Sequence, residues 1–218
     1  MKTTYNKENL KTHLEEIKPT GYTLESFENE FFYTKTETSR KITITLFYDE
    51  YFPHDVIFST VSVSVLFYNV EQIFNDVYVN NQNVDFRHFL NKTPTFSEDF
   101  SDVLSSTEIT LLDSVKVFDD TSFSLVRPLI QQMINAAVSF VNQNQTLQDF
   151  YDFGETMNED DQLNFYIHPA SFRMAIVKKL LNLPYTIFLQ NEINLYNQHN
   201  MSDVSSFAVA LKNHLDSI

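Results

Sequence analysis

Asp85 and His88 stand three residues apart, so on a helix the carboxylate and the imidazole would share a face. Such a pair can orient one another or share a metal ion. No second histidine follows at ligand spacing, and HExxH is absent. The competing use of Asp85 and His88 is a surface hydrogen bond. His54-Asp55 follows Pro53, where an aspartate serves either a backbone turn or a functional loop. His168 precedes Pro169 at the expected start of a helix, with no legible nucleophile beside it. The densest acids are Glu159-Asp160-Asp161 after Asn158. Three adjacent carboxylates repel one another and suit a hard cation, but acids at a helix N-terminus also favour the macrodipole. Asp119-Asp120-Thr121-Ser122 reads as a helix cap in the same way.

Composition removes many other chemistries. The 218-residue chain has no Cys, which excludes thiolate nucleophiles, disulfides and Cys-ligated zinc or iron–sulfur centres. Its two glycines, Gly21 and Gly154, cannot write a P-loop, a GxGxxG turn or a GxSxG elbow. No cofactor is therefore expected. The formal net charge of -14 opposes binding to nucleic acid or to an anionic membrane. No apolar stretch is long enough to span a bilayer, and the N-terminus lacks a signal-peptide core, so a soluble cytoplasmic protein is expected.

The acids are not spread evenly. Residues 1–41 balance to zero and residues 162–218 carry +1, whereas residues 42–161 carry -15. No Lys or Arg lies between Arg127 and Arg173, and that interval holds Asp149, Asp152, Glu155, Glu159, Asp160 and Asp161. These six are the candidate partner-binding residues. Asp85 and His88 are the metal candidates of an alternative reading.

Those residues must be positioned by elements with two different periods. Leu10, Leu14 and Ile17 have helical spacing before Pro19 and Gly21. Residues 22–68 then alternate: Ile42, Ile44 and Leu46 against threonines, and Val61, Val63 and Val65 against serines. This predicts a meander of three or four antiparallel strands, with Thr36–Ser39 as one turn and Asp49–Asp55 as a second connection. Neighbouring aromatics such as Phe31, Phe32 and Tyr33, or Phe47 and Tyr48, must face both sides of that sheet. The second face then meets helices, a ligand or a partner. Val70, Ile73, Phe74 and Val77 predict a helix, and Thr107–Phe118 predicts a strand or short hairpin. From residue 120 onward the apolar stripes are helical, the last one capped by Ser202 or Asp203.

The expected fold is α+β: an N-terminal helix, an antiparallel β-meander, then a mostly helical C-terminal half. The expected division is residues 1–120, helix plus sheet, and residues 121–218, helical and packed on the sheet within one domain or separate from it. In plan and charge the chain is loosely similar to immunity proteins and other small bacterial modules, a resemblance that no motif residue carries. Its implication is a non-enzymatic, inhibitor- or immunity-like module whose acidic central surface engages a basic protein. The alternatives are a metal-dependent or acid–base hydrolase and a structural or oligomeric domain.

Overall fold

The computed structural model describes residues 7–51, 55–81 and 94–218. The fold is α+β: an N-terminal helix, a five-stranded antiparallel sheet in the order β1-β2-β3-β4-β5, and a mostly helical C-terminal half. The chain divides into two compact units assembled from separated stretches.

The first unit takes the described residues within Met1–Glu37, Lys41–Ser64 and Glu98–Gln143. Helix α1 (Lys7–Glu16) buries Leu10 and Leu14, as its spacing requires. The chain turns back through Gly21, whose φ of +85° suits a residue without a Cβ. Strands β1 (Thr23–Phe27) and β2 (Glu30–Thr36) form a hairpin, followed by β3 (Arg40–Tyr51) and β4 (Asp55–Phe67). The expected turn at 36–39 is present, but β3 runs on to Tyr51 through residues expected to form a connection.

On the inner sheet face Phe31, Tyr33, Ile42, Ile44 and Leu46 are fully buried. The buried Tyr33 hydroxyl donates to the Leu14 carbonyl at 2.8 Å and ties α1 to this face. Burial raises the Tyr33 pKa, and the nearby Glu15 charge adds to that. Helix α4 (Asp120–Gln143) buries Phe123, Val126, Ile130, Met133 and Ile134 along one stripe. Phe123 lies 4.9 Å from the His13 ring and 6.3 Å from Phe58. The Asp119 carboxylate accepts from the Ser122 amide at 2.8 Å, so this acid does cap α4.

Helix α3 (Ser106–Ser114) overturns the strand expected over Thr107–Phe118. The β-branched residues there favour a strand, but Ser105 and Glu108 form a capping box. The Glu108 carboxylate accepts from the Ser105 amide at 2.8 Å, and the Glu108 amide donates to the Ser105 hydroxyl at 3.4 Å. Local capping therefore wins over propensity. Only Val117 keeps strand character, in an isolated antiparallel bridge to Val56.

The second unit takes Thr38–Arg40, the described part of Val65–Ser97, and Asn144–Ile218. It holds α2 (Tyr68–Val79), the start of β5 (Phe96–Asp99), α5 (Leu147–Gly154), α6 (Glu159–Phe165), α7 (Ala170–Leu180), α8 (Thr186–Gln198) and α9 (Ser202–Ser217). The N-cap of α9 is Met201, with no side-chain bond, in place of the expected Ser202 or Asp203. Phe96 is the hub of an aromatic core, with the rings of Phe67, Phe150, Phe165 and Tyr166 at 4.8–5.9 Å. Gly154 ends α5 beneath this cluster, where a Cβ would stand 3.3 Å from the Phe165 ring.

The same unit contains a buried ion pair between α2 and α7. Arg173 donates from Nε and Nη2 to the two oxygens of Glu71 at 2.9 and 2.8 Å. Its Nη1 donates to the carbonyls of Ile167 and His168 at 2.9 and 2.6 Å. The Thr95 hydroxyl donates to Glu71 at 2.9 Å, and the guanidinium carbon lies 5.1 Å from the Phe74 ring centre. Arg173 is 0% and Glu71 3% exposed, so these partners replace water.

Candidate functional site

The six acids of the sequence reading lie on α5, its link to α6, and the first turn of α6. Four are engaged in local structure. Asp149 and Thr146 form a capping box, in which the Thr146 amide donates to the carboxylate at 2.8 Å. Hydrogen bonds from the Thr146 backbone and hydroxyl hold the Asp149 carboxyl below its ordinary value. Asp152 accepts from Gln148 at 2.7 Å, one turn earlier. Asp161 gives its amide to Asn158, the N-cap of α6, at 3.0 Å. Glu155 accepts from Gln162 at 3.0 Å, and Gln162 also reaches the Gly154 carbonyl at 3.2 Å. Glu159 and Asp160 are exposed in the α6 first turn, where the helix dipole favours them.

Asp85, His88 and His54 fall outside the described residues. Asp55 lies 3.9 Å from Lys116. Among the described residues no group of three or more His, Asp or Glu side chains is placed to hold a metal ion. His168 gives its carbonyl to Arg173, and partial burial followed by the Arg173 charge lowers its pKa. Among the described residues no helix is long and apolar enough to cross a membrane.

A second acidic surface lies on the outer sheet face of the first unit. Strand register places Phe27, Glu30 and Phe47 in one row across β1, β2 and β3. Glu25, Phe32 and Thr45 form the next row, and Thr23, Thr34 and Thr43 the third. Directly paired residues point to the same side, with Cβ atoms about 5 Å apart. Phe32, Phe47 and Glu30 are half-buried on this face, and Phe27 is 66% exposed. The aromatics therefore divide between the faces, as adjacent strand residues must.

At the β1–β2 end of this face an open groove of about 750 Å³ is lined by Glu28, Glu30, Phe47, Asp49, Ser59 and Thr60, among others. Glu28 sits in the hairpin turn at φ +46°, a conformation costly for a residue with a Cβ. The Tyr48 hydroxyl holds that turn by donating to the Glu28 carbonyl at 3.0 Å. Burial, the Glu50 charge and a hydrogen bond with Glu50 push the Tyr48 hydroxyl up to about 12. Partial burial and then the Glu28 charge raise the pKa of Glu30. Along β4 the buried positions change from Val56 and Phe58 to Val61, Val63 and Val65. That change of parity at Ser59–Thr60 is what one extra strand residue, a β-bulge, produces, and it lies at the groove.

Sequence alternation alone did not find this surface. The signal was Glu28-Asn29 between two short alternating runs, a two-residue hairpin loop that sets the register of all three rows. No protein-family model, no curated protein and no solved structure matches this chain.

Proposed function

We propose that the protein is a non-enzymatic binding module, inhibitor- or immunity-like in its use of charge, that engages a basic protein through its carboxylates. The observation that carries this reading is the open groove on the first unit, which brings together Glu28, Glu30 and Asp49 with no lysine or arginine among its described lining residues. Opposite charge across such a surface accelerates encounter and orients the partner. The α5–α6 acids are a second place for the same contact, with Glu159 and Asp160 the most available of the six.

The test uses poly-lysine as the cationic probe and measures its association rate with the full chain. Between about 0.01 M and 0.15 M salt the screening length falls from about 30 to about 8 Å, so the rate should fall steeply. A triple change Glu28→Gln, Glu30→Gln, Asp49→Asn should slow association more than neutralising three acids elsewhere on the surface. A rate that ignores salt, or an equal loss wherever three acids are removed, refutes a localised acidic binding surface.

A further inference from the structure

We propose that the row Phe27–Glu30–Phe47 is a docking site for an arginine side chain of a basic protein partner, an assignment that rests on the binding reading above. Strand pairing sets a carboxylate between two phenyl rings on one sheet face. This is the chemistry a guanidinium meets best. Its plane stacks on an aromatic ring while its fork of N–H groups engages a carboxylate, and it is more weakly hydrated than an ammonium. A lysine would meet the same charge but use the rings less well.

Charge complementarity selects a cation over an apolar occupant. Some surface acids of this chain take one of its own basic side chains: Glu16 takes Arg127, Glu37 takes Lys35 and Asp216 takes Lys212. The groove beside Glu30 adds carboxylates from Glu28 and Asp49, and its described lining residues are acidic, polar or aromatic. Partial burial and then the Glu28 charge disfavour the ionised Glu30 side chain as it stands, and a guanidinium paired with it offsets both. Phe27, 66% exposed on the edge strand, supplies apolar surface that such a partner would cover. Ser59 and Thr60 line the other side of the groove, where their hydroxyls donate to the Phe47 carbonyl at 3.4 Å and to Asp99 at 2.7 Å.

The experiment compares labelled hexa-arginine and hexa-lysine peptides by fluorescence anisotropy on the full chain, at one low salt concentration. Hexa-arginine should bind about threefold more tightly than hexa-lysine. Phe27→Ala should remove that preference, and Glu30→Gln should weaken hexa-arginine by about threefold. Far-UV circular dichroism confirms the fold of both variants, whose changed side chains lie on the open sheet face. Hexa-arginine binding that is indifferent to both substitutions overturns the arginine site. If that binding instead responds to Glu159→Gln with Asp160→Asn, the basic-partner reading stands and the row falls. If the unaltered protein binds neither peptide, the basic-partner reading falls as well.

Discussion

Replacing Glu71 by Ala takes the carboxylate away from the buried Arg173 Nε and Nη2 donors, while the Ile167 and His168 carbonyls and the Phe74 ring stay in place. Because Arg173 is 0% exposed, water cannot replace the lost carboxylate without opening the unit. Removing one partner of a buried pair costs about 3–5 kcal/mol, a large share of the roughly 5–15 kcal/mol that holds a domain folded. With a urea slope of about 2 kcal/mol/M, the midpoint should fall by about 2 M. The chain has no Trp, so helical circular dichroism is the suitable signal. Arg173→Met should cost at least as much, since among the described residues Glu71 then keeps the Thr95 hydroxyl alone while two carbonyls lose this donor. Combining Glu71→Ala with Arg173→Met removes both buried charges and should restore about 2 kcal/mol relative to the sum of the single changes. A loss under about 1 kcal/mol for Glu71→Ala, or strict additivity of the pair, refutes the assignment of Glu71 and Arg173 as a mutually dependent buried unit.

Ser105→Ala removes the hydroxyl half of the α3 capping box and should destabilise by about 1 kcal/mol in urea melts; no change would mean that α3 is held by tertiary contacts alone. Glu28→Gly relieves the positive φ of the hairpin turn and should stabilise by about 1 kcal/mol, read as a higher urea midpoint, whereas a loss would mean that the turn is not strained. The Asp149 carboxyl is held below its ordinary value of 3.8 by Thr146, so its stabilising contribution is present above that pH and lost as pH falls through the depressed value. In Thr146→Val the Asp149 titration followed by carboxyl NMR should move up toward 3.8, and an unmoved titration would show that the hydroxyl bond does not matter.

Local signals were enough for much of the fold. The period-two runs of β2, β3 and β4 and the helical stripes of α1, α2 and α4 follow from which side chains avoid water, and each needs only its own neighbours. Asp119 and Asn158 are caps because a short polar side chain beside a helix start has free amides within reach. Helix α3 was legible in principle from Ser105-x-x-Glu108, but its β-branched residues masked that signal. The charge distribution was likewise a property of the sequence alone: the acids concentrate in residues 42–161.

Tertiary structure decided what those acids do. Glu71 counts as one more negative charge in the sequence, yet it lies buried against Arg173, 102 positions away, a pairing no local pattern encodes. Asp149 and Asp161 are drawn into helix starts, whereas Glu30 is brought between Phe27 and Phe47 by strand register. Register depends on hydrogen bonding between strands and on a turn of two residues, so a shift of one position would send Glu30 to the core face and erase the row. The amino-acid order determined how much negative charge this protein carries and along which stretch of chain. Only the pairing of separated segments determined which of those charges are neutralised inside and which stand open beside aromatic rings, because the neutralising groups come from distant parts of the chain.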